Sequence, residues 1–64
     1  MKVQYPIVRN ITVDEDVRFD IDYCTGEIVG FIQGDGKTPD KFMICDDKSG
    51  AFIKVNVGEC YKVD

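Results

Sequence analysis

Residues 34–38, Gly-Asp-Gly-Lys-Thr, have the composition of a phosphate-binding loop, in which glycine backbone amides surround an anion and a lysine reaches its terminal phosphate. The full pattern requires an earlier glycine at position 31, where this chain has Phe31. Pro39 follows at the point where such a loop would continue into a helix. We therefore expect a flexible loop between strands here, and no nucleotide site.

A run of carboxylates is the second group that could do chemistry, because divalent cations prefer oxygen ligands. Between positions 14 and 27, six acidic residues stand against the single base Arg18, which gives a local charge of −5. Their spacing does not match a calcium loop, which needs Asp at successive alternate positions, a glycine at the sixth position and a closing Glu. We expect a solvated, charged face and no bound metal. The acidic residues are Asp14, Glu15, Asp16, Asp20, Asp22 and Glu27.

Acid–base or nucleophilic catalysis has few candidate residues in this chain. There is no histidine, and Ser49 is the only serine. Cys24, Cys45 and Cys60 lack an evident activating base and the Cys-x-x-Cys spacing of zinc sites. Their odd number favours reduced thiols, although one disulfide with one free thiol stays open. We expect a protein that is not an enzyme and has no cofactor, with Cys45 and Cys60 as small apolar filling.

The length of 64 residues predicts a single domain over residues 1–64, too small to enclose a deep active site. The net charge of −4 and the scattered lysines and arginines disfavour nucleic acid as a partner, because that binding depends on clustered bases. Residues 1–6 lack the apolar stretch of a signal peptide, and no segment is apolar enough to span a bilayer. We expect a cytoplasmic protein with no membrane partner.

The most regular pattern in the chain is the alternation of apolar and polar residues over positions 17–23, which resumes at 28–32. Alternation predicts strands with one buried face, and the intervening Cys-Thr-Gly-Glu predicts a hairpin turn. We expect a three-residue loop at 24–26 that ends in a left-handed Gly26. A two-residue loop would set apolar residues beside aspartates. The preferred register places on one buried face the pairs Ile21 with Val29 and Phe19 with Phe31.

The segments on either side of this hairpin predict a further strand and a loop. Val3, Tyr5 and Ile7 alternate in a first strand, where Pro6 restricts regular pairing to an edge or a strand end. Two glycines and a proline predict a loop at 33–40.

The last third of the chain predicts a second hairpin with a four-residue turn at 47–50. Residues 56–60 predict one 3₁₀ turn, and residues 61–63 predict a last strand. The hairpin pairs Phe42 with Val55 and Ile44 with Ile53, and puts Met43, Cys45, Phe52 and Lys54 on the opposite face.

Three segments carry the resemblance of this chain to a known architecture. They are a strand start, a turn between two strands and the lead into the last strand: Gly26-Glu27-Ile28-Val29, Asp46-Asp47-Lys48-Ser49-Gly50, and Val55-Asn56-Val57-Gly58-Glu59 leading into Tyr61. Over roughly residues 16–63 the order resembles SH3-like barrels, and the Gly-x-Ile strand start is weakly similar to KOW-type barrels. The resemblance implies an all-β fold, a single five- to six-stranded SH3-like barrel of antiparallel hairpins with a short 3₁₀ turn before the last strand. An OB-like barrel is the alternative.

A second apolar face lies opposite the main alternation and consists of Ile28, Ile32, Met43 and Phe52. In a small barrel such residues are either core, because bent strands contribute to both sides, or an exposed partner site. We expect a non-enzymatic module that binds a protein in a groove between the 33–41 loop and the second hairpin. The expected binding residues are Ile32, Met43, Phe52 and Tyr61, with Asp14, Glu15 and Asp16 supplying charge selectivity.

Two other functions and one assembly stay open. A nucleic-acid-binding barrel would need its lysines, Lys37, Lys41, Lys54 and Lys62, on one face. An acidic mimic of nucleic acid would present the carboxylates at 14–16 to a basic nucleic-acid enzyme. A homodimer would bury one more face of a very small domain. A small acidic barrel also resembles phage accessory proteins, which implies a protein of the host machinery as the partner.

Overall fold

The computed structural model describes residues 1–63, which form one five-stranded antiparallel sheet with the strand order β4-β3-β2-β1-β5. The all-β prediction is confirmed. Within the described residues the edge strands β4 and β5 do not pair with each other, so the sheet is not closed into a barrel. The elements are β1 (Lys2–Val13), β2 (Asp16–Ile32), β3 (Lys41–Asp46), β4 (Phe52–Asn56), the 3₁₀ helix η1 (Val57–Glu59) and β5 (Tyr61–Lys62).

β1 and β2 form one long hairpin whose two-residue turn is Asp14–Glu15. Both turn residues have positive φ, 51° and 69°, which is the left-handed backbone that tight hairpin turns require. Aspartate adopts this backbone more readily than most residues do. The turn sets a register that runs without a shift from Val13 opposite Asp16 to Lys2 opposite Glu27.

The predicted three-residue loop at 24–26 is wrong. These residues continue β2 as regular strand, and Gly26 does not have a positive φ. The partner of residues 17–23 comes from β1, earlier in the chain, because the Asp14–Glu15 turn is tight enough to pair the two alternating runs directly. The four residues predicted to share one buried face do not share it: Phe19 and Ile21 lie on the side of the sheet opposite to Phe31, which pairs with Phe42, and a register shift falls at Val29. All four are more than half exposed.

The second hairpin is confirmed in its register and its turn. β3 and β4 pair Phe42 with Val55 and Ile44 with Ile53. The Asp46 carboxylate accepts the backbone N–H groups of Lys48 and Ser49 at 2.9 Å each, and Gly50 closes the turn with φ 72°. The loop at 33–40, the 3₁₀ turn and the last strand also form as predicted.

The core lies on one face of the sheet, which we call the inner face. Among residues 1–63, the buried apolar side chains are Val3, Tyr5, Ile44 and Val55, and they form one cluster. β2 shifts register against β3 between Ile28 and Gly30, which leaves Val29 as a bulge residue. Bulges bend a strand. The bend allows the inner faces of β3 and β4 to pack against β1.

Gly26 permits a close approach of β2 to β3. A Cβ atom at this position would lie 2.5 Å from Ile44 Cγ2 and 2.6 Å from the Cys45 carbonyl oxygen. A glycine inside a strand often marks such a contact. Gly26 is therefore required by packing and not, as the sequence suggested, by a turn.

The helical element within residues 1–63 is η1, which spans three residues and leads from β4 towards β5. Cys60 follows it and packs against the core cluster. This part of the chain holds no helix with the length and apolar character needed to cross a bilayer.

Candidate functional site

The far part of the β1–β2 hairpin, residues 8–23, projects beyond the rest of the sheet, and we call it the arm. β5 pairs with β1 only at Val3 and Gln4, and β3 pairs with β2 from Gly26 onward. The arm therefore pairs only with itself. All its residues are exposed except the half-buried Asp22.

Cross-strand register assigns each arm residue to a face, because partners in an antiparallel pair point to the same side. Arg9 pairs with Asp20, on the face that continues the inner face of the sheet. Arg9 Nε also lies 2.8 Å from Asp22 Oδ2. The inner side of the arm thus carries charged residues together with the exposed Ile11 and Val13.

The opposite side of the arm is apolar, and its large residues form what we call the arm face. They come from both strands, in the successive pairs Val8 with Ile21, Asn10 with Phe19, and Thr12 with Val17, next to Tyr23. Their exposed fractions are 62% for Val8, 60% for Val17, 68% for Phe19, 58% for Ile21 and 61% for Tyr23. Together they expose roughly 500 Å², which is in the upper part of the range for the largest apolar patch of a monomeric protein, and such patches are often functional.

The apolar residues of β1 alternate onto the inner face, including Ile11 and Val13 in the arm, and Val8 is the large apolar residue that β1 contributes to the arm face. Val3, Tyr5 and Ile7 point to the inner face, whereas Val8 points to the outer face. The alternation at positions 17–23 was predicted to mark a buried face, but within residues 1–63 no other part of the chain covers it. Sequence reasoning therefore missed the arm face as a site. The available signal was the polar Asp-Glu pair between two alternating runs.

Three of the predicted binding residues do come together. Ile32, Met43 and Phe52 lie on the outer face of β2, β3 and β4, where Met43 pairs with Gly30 and with Lys54. Phe52 is 68% exposed, whereas Ile32 and Met43 are half-buried. These three residues share the outer side of the sheet with the arm face.

The other predicted binding residues lie elsewhere. Tyr61 is exposed and pairs with Gln4, which puts it at the opposite edge of the sheet from β4. Asp14, Glu15 and Asp16 form the tip of the arm, and Asp16 and Ile32 are the two end residues of the 17-residue strand β2. The structure thus separates the acidic residues from the apolar groove that they were expected to accompany.

A crevice of about 170 Å³ lies at the base of the arm, between β2 and the turn after β3. Sites for small molecules usually enclose about 300–1,000 Å³. This crevice is too small for such a ligand and accommodates no more than a few waters or one side-chain tip. Its lining residues are Tyr23, Cys24, Thr25, Asp46, Asp47 and Lys48.

Asp46 links this crevice to the core. Its Oδ2 accepts the hydroxyl of the buried Tyr5, and its Oδ1 accepts the N–H groups of Lys48 and Ser49 in the 47–50 turn. These donors favour the charged carboxylate, the Tyr5 hydroxyl most of all, and lower the pKa of Asp46 to about 2. Burial and the same hydrogen bond raise the pKa of Tyr5.

This linkage predicts a specific acid sensitivity. Because the pKa of Asp46 is lowered on folding, its stabilising effect is present above the ordinary aspartate pKa and is lost as the pH falls towards 2. The free energy of unfolding of Asp46→Asn should therefore fall less steeply than that of the wild type between about pH 5 and pH 2. Urea unfolding at several pH values measures this difference.

Tyr5→Phe is the second variant in that experiment, because it removes the strongest donor and leaves the Asp46 carboxylate in place. Its pH dependence should lie between those of the wild type and Asp46→Asn. Three parallel curves would show that this contact contributes nothing to the acid sensitivity.

The carboxylate of Asp35 accepts hydrogen bonds from within the 34–38 loop. The Asp35 carboxylate accepts the backbone N–H groups of Lys37 and Thr38 at 2.7 and 2.8 Å, together with the Thr38 hydroxyl. The same contacts lower the pKa of Asp35. The amides that a phosphate would need are thus already bonded to a carboxylate of the loop.

The serine and the cysteines, which are the potential nucleophiles of the chain, contact other groups of the protein. Ser49 bonds to Asp46 and to the N–H of Ala51. Burial raises the pKa of Cys60, which disfavours its thiolate. Cys24 and Cys60 pack against the core, whereas Cys45 lies on the outer face beside Phe52, so the prediction that it fills the interior is wrong. No group of three or more metal-ligating side chains occurs within residues 1–63.

The geometry therefore identifies the arm face as the main candidate site. It is uncharged, exposed and held in a fixed register by its turn. Comparisons of the chain with models of known protein families, with curated proteins and with solved structures find no match.

Proposed function

We propose that this protein is a small non-enzymatic module that binds protein through the arm face. One observation carries the proposal: Val8, Val17, Phe19, Ile21 and Tyr23 are each more than half exposed on one side of a hairpin. Apolar side chains spaced at every second residue are typical of a covered sheet face. A contiguous exposed apolar patch favours a protein partner over water.

The strand order supports an SH3-like fold as the framework of this module. β5 pairs with β1, β2 pairs with both β1 and β3, and η1 precedes the last strand. In this framework the sheet is open and the arm is the long connection between the first two strands. The arm can therefore carry a binding face without contributing to the core.

Binding should be insensitive to salt and specific to one side of the arm. A tagged protein, incubated with a lysate of the organism that encodes it, should retain a partner at high ionic strength, because apolar contacts are not screened. Phe19→Glu should abolish the capture, since it puts a charge in the centre of the arm face. The measurement is mass spectrometry of the retained proteins at low and high salt.

Ile11→Glu is the matched control, because Ile11 lies on the other side of the same arm and is also exposed. It should retain the partner. Equal loss in both variants would contradict binding through the arm face. Phe52→Ala tests whether the contact extends to the outer face of β3 and β4, as the sequence predicted.

The charged alternatives give a different result in the same experiment. A nucleic-acid mimic would capture nucleic-acid enzymes only at low salt and would lose them when Asp14, Glu15 and Asp16 are reversed to lysine. We consider the mimic second, because Asp22, one of the carboxylates of the arm, is already paired with Arg9. If nucleic acid itself were recovered, the result would instead favour a nucleic-acid-binding protein with a basic surface outside the arm.

A further inference from the structure

We infer that the arm face is covered by the arm face of a second copy of this chain, so that the protein is a symmetric dimer. This inference rests on the proposed function and names its partner. Its starting point is the arm itself: residues 8–23 add no buried apolar side chain to the core described within residues 1–63. An isolated two-stranded hairpin is marginally stable in water. A persistent arm therefore needs a cover.

The distribution of charge fits a second copy. Every outer-side residue of the arm is uncharged, namely Val8, Asn10, Thr12, Val17, Phe19, Ile21 and Tyr23, while its charged residues lie on the inner side or at the tip. Two arm faces can thus meet without burying an ionised group, whose desolvation would be costly. The net charge of −4 then stays on solvated surfaces of both copies.

The acidic tip sets the orientation of the two arms. Asp14, Glu15 and Asp16 would meet their counterparts if the arms packed in parallel, which repulsion opposes. An antiparallel arrangement separates the two tips by the length of the arm, about 20 Å for the six pairs that join 8–13 to 16–21. It also satisfies two-fold symmetry, in which the same patch contributes from both subunits.

The area is sufficient for a stable contact. Covering the arm face on both copies would remove roughly 1,000 Å² of large apolar side chains from water, and the smaller outer residues between them add to this, which reaches the range of specific interfaces. Sheets that pack face to face lie about 10 Å apart with interdigitated side chains. Phe19, in the central pair of the arm face, would lie near the symmetry axis.

Sedimentation equilibrium over a wide range of concentration tests the inference. The wild type should show the mass of two chains, with a dissociation constant that Phe19→Glu raises at least about a hundredfold, because each substitution occurs twice in the interface. Ile21→Lys should have the same effect, which excludes a role for added negative charge alone. Ile11→Glu should remain dimeric. Circular dichroism verifies that each variant keeps its sheet.

Two results would overturn the inference. One is a wild type that sediments as a single chain at every concentration, and the other is a dimer that both Phe19→Glu and Ile21→Lys leave intact. A single-chain wild type that still captures a lysate protein through the arm face would leave the proposed function standing. A dimer that depends on Phe19 and captures no other protein would support the inference and limit the function to self-association.

Discussion

Gly26→Ala should strongly destabilise this domain. The added Cβ would lie 2.5 Å from Ile44 Cγ2 and 2.6 Å from the carbonyl oxygen of Cys45. Ile44 is fully buried, and the Cys45 backbone is held between β2 and β4, so neither neighbour can move freely. Overpacking of this kind costs about 1–3 kcal/mol or more. Urea unfolding followed by far-ultraviolet circular dichroism measures the loss.

Gly36→Ala is the matched control for this substitution. A Cβ at Gly36 would meet no atom within 4 Å, and its backbone does not have a positive φ. We expect a change within about 0.5 kcal/mol, as for most surface substitutions. If the two variants were equally stable, the close approach of β2 to β3 at Gly26 would be incorrect.

Ile44→Ala should have an effect of similar size for the opposite reason, since it leaves a cavity in place of a clash. Ile44 has no exposed surface and lies in the cluster with Val3, Tyr5 and Val55. Truncation of a buried isoleucine to alanine costs about 2–5 kcal/mol. A domain of this length has a total stability of roughly 3–10 kcal/mol, so this variant should be largely unfolded at mild urea concentrations.

Ile11→Ala applies the same change at an exposed position. Ile11 lies on the inner side of the arm, 40% exposed and outside the core cluster. Its free energy of unfolding should fall by less than about 1 kcal/mol. A loss equal to that of Ile44→Ala would mean that the arm takes part in the same cooperative core, which would contradict its description as a projecting hairpin.

The part of the fold that sequence predicts well is the part that its local chemistry determines. Asp46 and Ser49 supply side-chain oxygens for the 47–50 turn, and Gly50 supplies the left-handed residue that ends it. Alternation on both sides then permits one register. The second hairpin therefore follows from residues 42–55 alone.

The first hairpin could not be predicted in the same way, because there were two candidate turns. A turn at 14–15 pairs residues 17–23 with the strand before them, and a turn at 24–26 pairs them with the strand after them. Residues 24–26 contain a glycine, the stronger turn signal, whereas Asp14 and Glu15 adopt left-handed backbone without one. The glycine turned out to serve a contact with Ile44, which lies 18 positions further along the chain. A requirement that comes from tertiary packing is not visible in a local pattern.

The candidate site was predictable in kind but not in place. Alternation at Val17, Phe19 and Ile21 correctly indicated a strand with one apolar face. It could not indicate whether another part of the chain packs against that face. In the structure Val3 and Tyr5 place the core on the inner face of β1, and the arm face lies exposed on the other side.

The two-residue turn at Asp14–Glu15 has a consequence for how this domain can vary in size. Antiparallel pairs alternate between two hydrogen-bonding types, so the same turn can close the hairpin again only after two residues are gained or lost on each strand. Each such step would change the reach of the hairpin by about 7 Å and add or remove one outward-facing pair. The arm contributes no buried side chain to the core within residues 1–63, so insertions or deletions in the arm would leave the core unchanged. Insertions or deletions can thus change the length of the arm in fixed steps, without altering the core that keeps the domain folded.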